Sequence, residues 1–146
     1  MDADADSKTY TRDTIGEIIG AAMPAIEIVA NRYGDFRIRG APTLIAEDFF
    51  HEARVPGAPV SNRQGIYFAA VAGRTLVDGM EKGIGVGAYI MSHPLEAAAW
   101  LANKFYPQGG GLVSGQIILT GNAAPVTRLA NDRGTATIEA ESLGAT

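Results

Sequence analysis

Apolar positions recur along this chain at two periods, and the alternation between them divides it into helices and strands. From Thr11 onward, Ile15, Ile18 and Ile19 fall at helical spacing, and Asp13 sits in the first turn, where the helix dipole favours a negative charge. That helix is expected to end near Pro24, because proline disfavours helical geometry in the residue before it. The next run, PAIEIVANRY (Pro24 to Tyr33), has period two and reads as a strand, with Ala25, Glu27 and Val29 on one face and Ile26 and Ile28 on the other.

TLIAEDFFHEAR, Thr43 to Arg54, fits either a short helix or a strand entering a loop, and VPGAPVSNRQG is a Pro/Gly-rich loop. GIYFAAVAG (Gly65 to Gly73) is expected to be a buried strand. RTLVDGMEKG follows as a second strand and turn, with Asp78-Gly79 as a hairpin corner. GIGVG, Gly83 to Gly87, has neither the G-x-G-x-x-G nor the P-loop spacing, so its glycines are read as permitting close strand packing.

SHPLEAAAWLANK, Ser92 to Lys104, predicts a helix with Pro94 in its first turn and Ser92 or His93 as cap. Leu95, Ala98, Ala99, Ala102 and Phe105 form its apolar stripe, and it stops at Pro107 and the glycines beyond. Strands are expected at Ile117 to Thr120 and Thr135 to Leu143. The pattern indicates an α+β fold, rich in strands with a few packed helices. Residues 9–146 are expected to form one domain behind a polar, frayed segment at residues 1–8.

With 146 residues, the chain is long enough to bury about two-thirds of its unfolded surface. At 47% hydrophobic, 19% charged and a net charge of -4, it does not read as a nucleic-acid binder or an anionic-membrane binder. It has no Cys, which excludes disulfides, thiolate metal sites and cysteine nucleophiles. The start is acidic, unlike a signal peptide, and no apolar run approaches the roughly 20 residues of a membrane span. A soluble, cytoplasmic protein is expected.

The candidate chemistry lies in carboxylates and one histidine. Glu27 interrupts an apolar strand, either on a solvated face paired with Arg32, Arg37 or Arg39, or as a buried metal ligand or general base. His51 with Asp48 or Glu47 makes a candidate acid–base pair, because imidazole titrates near neutrality and a carboxylate can orient it; a helix with a charged, solvated face accounts for the same letters. Asp2, Asp4 and Asp6 are read as a solvated terminus before a cation site. Glu139 and Glu141 are expected on one face of an exposed last strand.

Taken in order, PAIEIVANRY, SHPLEAAAWLANK and GLVSGQIILTGN resemble three landmarks of the fumarylacetoacetate hydrolase superfamily, in its 2-oxopent-4-enoate hydratase and 4-oxalocrotonate decarboxylase branch. The resemblance covers about residues 9–145, loosely between Ile38 and Gln64. It implies a β-rich mixed roll with a barrel-like sheet, and a divalent cation, Mg2+ or Mn2+, that chelates a 2-oxo acid and stabilises its enolate. Glu27 takes the place of the family's third metal ligand, and Thr120, Gly121 and Asn122 that of its substrate-pocket corner. Asn122 stands for a serine there, and Gln116 for an aspartate.

The family's first two ligands, an E-x-E pair, and its acid–base lysine have no counterpart in this sequence. A metal at Glu27 therefore requires ligands from a partner. Three functions remain open. One is a hydratase- or decarboxylase-like lyase on an enolisable 2-oxo acid or related carbonyl compound, completed by another chain. Another is a metal-free isomerase, cyclase or dehydratase using Glu27, Asp48 or His51. The third is a non-catalytic partner subunit. A homo-oligomer, or a complex with a longer relative, is expected in each case.

Overall fold

The computed structural model describes Met1, Ala5, residues 9–129 and residues 133–146; Asp2, Asp4 and Asp6 lie outside the described residues. Its elements in order are α1 (Arg12–Ile18), β1 (Ala25–Val29), α2 (Ala41–Ala46), β2 (His51–Pro56), β3 (Ala72–Val77), β4 (Met80–Val86), α3 (Pro94–Phe105), β5 (Ala136–Ala140) and β6 (Gly144–Ala145). β1 and β2 form a two-stranded antiparallel ribbon, and the other four strands make an antiparallel sheet in the order β4-β3-β5-β6. Helices thus accompany antiparallel sheets, as the sequence pattern implies.

The core sits between the two longer helices. α1 begins at a Thr11 cap whose hydroxyl accepts from the Thr14 amide. It buries Ile15 completely against Ala98, Ala99 and Ala102 of α3, with Tyr10 and Leu112 closing the cluster. The alanines carry little bulk, so the helices approach closely, and burying the Ile15 side chain contributes about 2–3 kcal/mol. Asn103, on the last turn of α3, ties the entering chain to this core by accepting from the Tyr10 amide and donating to the Tyr10 carbonyl, both at 2.8 Å.

α3 starts where the sequence predicts, with His93 as its cap: Nδ1 accepts from the Leu95 amide at 3.1 Å, and Pro94 occupies the first turn. α1 is shorter than expected. It ends at Ile18 because Ile19 is already extended, and the chain then runs to an Ala22–Val60 bridge before Pro24.

The β3–β4 hairpin turns at Asp78 and Gly79, with φ of 51° and 76°, the left-handed pair its tight corner needs. Close packing accounts for GIGVG. A Cβ on Gly85 would overlap the Ala123 carbonyl, and one on Gly87 the Phe68 carbonyl.

Two expected strands are absent. Gly65 to Gly73 turns at Gly65, with φ 84°, and winds through a 3-10 turn at Phe68–Ala70, so its apolar residues line the approach to α3 and only Ala72 onward joins the sheet. Ile117 to Thr120 keeps the alternating burial of a strand, with Ile118 packed on the helical core, but pairs with no other strand among the described residues. The last predicted strand ends at Ala140, and it lies inside the sheet between β3 and β6 rather than at an exposed edge.

Candidate active site

In the β1–β2 ribbon Glu27 lies opposite Arg54 and Val29 opposite His51, with a bulge between Ile28 and Val29. Directly opposed residues share a face, so Glu27, Arg54 and His51 stand on the same side. There His51 Nδ1 and Glu27 Oε1 are 2.8 Å apart. A carboxylate only accepts, so Nδ1–H donates, and the neutral ring keeps a lone pair on Nε2. The arrangement is that of an oriented general base.

A turn in an uncommon conformation delivers His51 to this position. Asp48, Phe49 and Phe50 have φ of 50°, 48° and 70°, the left-handed region that costs an L-residue roughly 1–2 kcal/mol. Phe50 anchors the turn: it is buried, meets the rings of Tyr33 and Phe36 edge-on at 5.8 and 6.1 Å, and accepts from the Ala30 amide at 2.9 Å. Outside the same turn, Arg32 donates to Glu47 at 2.9 Å and to Glu52 at 3.2 Å. These partners, Glu47 first, raise the Arg32 pKa.

This geometry corrects the pairings expected from sequence. His51 sits against Glu27 rather than Asp48 or Glu47, since Glu47 is held by Arg32 and Asp48 makes no hydrogen bond or ion pair with His51 among the described residues. Glu27 is not neutralised by Arg32, Arg37 or Arg39 either. Arg37 lies 3.9 Å from Asp35, and Arg39 stacks over the Tyr33 ring at 4.6 Å. Nor is Glu27 deeply buried: its side chain is 40% exposed and that of His51 26%, because a two-stranded ribbon covers neither of its faces.

The Thr120–Asn122 corner packs against β4 and the segment that follows it. Gly121, with φ 127°, packs beside Ile90, and the chain then passes over Gly85 of β4. Among the described residues no hydrogen bond or ion pair links this corner to Glu27 or His51. The Gln116 side chain closes its own turn, accepting from the Val113 amide at 2.9 Å.

Glu139 and Glu141 do not form a ligand pair. Glu139 accepts from Arg74 at 2.6 Å, and the strand has ended before Glu141. His93 is structural. It is buried beside Tyr67 and Phe68, and burial, together with the charge of Arg12, lowers its pKa.

Among the described residues no group of three or more His, Asp or Glu side chains is placed to hold a metal ion. Magnesium and manganese favour about six oxygen ligands, whereas Glu27 supplies one carboxylate already engaged by His51. The donor set of this chain does not fit such an ion by itself.

No family model matches the chain. It is 34% identical over 139 residues to a 2-keto-4-pentenoate hydratase of Paraburkholderia phymatum, a match covering 93% of this chain and 52% of that enzyme. It is 31% identical over 131 residues to the 2-hydroxyhexa-2,4-dienoate hydratase of Comamonas testosteroni, covering 89% and 49% respectively. The fold matches that of 4-oxalocrotonate decarboxylase from Pseudomonas putida G7, complexed with magnesium and adipate, with a TM-score of 0.86 at 20% identity over 99% of this chain and 54% of that one. No helix among the described residues is long and apolar enough to cross a membrane. The chain is similar in sequence to 2-keto-4-pentenoate and 2-hydroxyhexa-2,4-dienoate hydratases and in fold to a 4-oxalocrotonate decarboxylase, and it spans about half the length of the relatives it matches.

Proposed function

We propose that this chain takes part in lyase chemistry of the hydratase or decarboxylase type on an enolisable 2-oxo acid, with Glu27 and His51 as its acid–base pair. The 2.8 Å contact between them carries the reading. Glu27 holds the imidazole in one tautomer, and His51 Nε2 takes a proton from C3 of the substrate. The C–H electron pair becomes the C2–C3 double bond, and the carbonyl π pair moves to the ketone oxygen as an enolate. Protonation of that enolate on its oxygen completes a tautomerisation to the enol, and the enolate is the species that hydration and decarboxylation of such acids share.

The hydratase names of the two relatives, and the dicarboxylate bound by the decarboxylase of matching fold, support a small oxo-acid substrate. Residues 9–146 are read as one domain, part of a β-rich roll of the fumarylacetoacetate hydrolase type. Asp48 and the Thr120–Asn122 corner are read as further site groups that approach the substrate when another chain, a second copy or a longer relative, completes the site. A divalent cation at Glu27 would draw its remaining ligands from that chain.

The donor set of this chain favours a second reading, metal-free enolisation by the pair alone. Exchange of the C3 protons of 2-oxopentanoate in D2O, followed by NMR with and without EDTA, tests both. Exchange that survives EDTA and is lost in Glu27→Gln and His51→Ala supports the metal-free pair. Exchange that needs magnesium and a longer relative supports the completed site. No exchange in any combination leaves a non-catalytic subunit and overturns the proposal.

A further inference from the structure

We infer that Arg54 is the anion anchor of the Glu27–His51 site, the side chain that receives the carboxylate of a 2-oxo acid. This assignment rests on the acid–base reading above and adds to it the group that recognises the substrate. Arg54 is the cross-strand partner of Glu27, so its side chain rises from the same face at the usual spacing of about 5 Å between opposed Cβ atoms.

An arginine opposite a glutamate would ordinarily close an ion pair with it. Here the Glu27 carboxylate turns to His51 instead, and among the described residues Arg54 makes no hydrogen bond or ion pair. The neighbouring cations are all engaged. Arg32 is divided between Glu47 and Glu52, Arg37 lies by Asp35, and Arg39 covers the Tyr33 ring.

Charge and reach both favour this role. A neutral imidazole beside an ionised Glu27 presents a net negative charge, which repels an anionic 2-oxo acid unless a cation stands next to it. A guanidinium offers two parallel N–H donors that match a carboxylate, with directional preference that a lysine ammonium lacks. Arg54 and His51 stand opposite Glu27 and Val29, two positions apart on β1, because the bulge takes up the extra residue of β2; that is roughly 7 Å along the ribbon. The carboxylate and C3 of a 2-oxo acid are separated by one carbonyl carbon, so a guanidinium and an imidazole rising from one face at this spacing can meet both. The arginine then fixes the carboxylate while C3 faces His51 Nε2. The side chain is exposed, so its replacement leaves the fold intact.

The test compares Arg54→Ala and Arg54→Lys with the parent chain, using 2-oxopentanoate and its carboxylate-free analogue 2-pentanone as NMR-titrated probes and circular dichroism to verify folding. Arg54→Ala is expected to weaken 2-oxopentanoate by about tenfold or more, Arg54→Lys by less, and neither to change 2-pentanone. Unchanged 2-oxopentanoate affinity in Arg54→Ala overturns the assignment, as does an equal loss for both probes, or a parent chain that binds no 2-oxopentanoate. Binding that depends on Arg54 without any C3 exchange upholds the anchor and overturns only the acid–base reading.

Discussion

Glu27 and His51, 24 positions apart in the chain, meet at 2.8 Å across the β1–β2 ribbon. Their contact depends on the register of two short strands and on the left-handed turn that precedes β2. Because both side chains are partly exposed, the pair adds little to stability, within about 1 kcal/mol. Glu27→Gln is accordingly expected to leave the melting temperature nearly unchanged while slowing C3 exchange of 2-oxopentanoate by roughly 100-fold or more, since an amide still accepts from Nδ1 but stabilises no imidazolium. Exchange at the parent rate in this variant would remove Glu27 from the chemistry.

The turn at Asp48–Phe50 stores strain in a residue that contributes little packing. Phe49 has φ 48° and is 57% exposed. Phe49→Gly relieves the left-handed conformation and gives back part of that gain as backbone entropy, for a net stabilisation of about 0.5–1 kcal/mol by urea unfolding. A destabilised variant would show that the exposed ring makes contacts that outweigh the strain.

This turn also marks where the sequence stops being informative. α3 was legible because Pro94, an i, i+3, i+4 stripe and a capping residue all agree, and the β3–β4 corner because Asp78-Gly79 is suited to positive φ. Phe49 and Phe50 have no such preference. Their conformation is imposed by burial of Phe50 against Tyr33 and Phe36, a tertiary effect without a local signal. The site follows the same division. Glu27 stands out as a charge in an apolar run, but its partnership with His51 and its register with Arg54 arise from strand pairing, which the letters around 43–54 leave open between helix and strand.

His93 makes stability depend on pH. Burial lowers its folded-state pKa, with Arg12 adding to the effect and Glu96 and Asp13 opposing it. A group whose pKa is lower folded than unfolded contributes stability above its unfolded value, near 6.5, and that contribution is lost as pH falls through the folded value. Urea unfolding from pH 8 to pH 5 should therefore show decreasing stability at the acid end. His93→Asn keeps a capping acceptor but cannot titrate there, and should flatten the profile. An identical pH profile in parent and variant would assign the acid sensitivity to other groups.

Asn103 is the hinge between α3 and the start of the fold. Its amide oxygen and nitrogen pair with the backbone amide and carbonyl of Tyr10, a residue that is itself 8% exposed, so cutting the side chain back removes both of these hydrogen bonds. An intramolecular hydrogen bond contributes a net of about 0.5–1.5 kcal/mol. Asn103→Ala is expected to lower stability by about 1–3 kcal/mol through the loss of the two. Asn103→Asp should fall between, because it can still accept from the Tyr10 amide but offers no donor to the carbonyl. If hydrogen exchange shows the Tyr10 amide equally protected in the parent chain and in Asn103→Ala, the tether lies elsewhere in the Tyr10–Ile15 segment, and the α1–α3 contact is held by apolar packing alone.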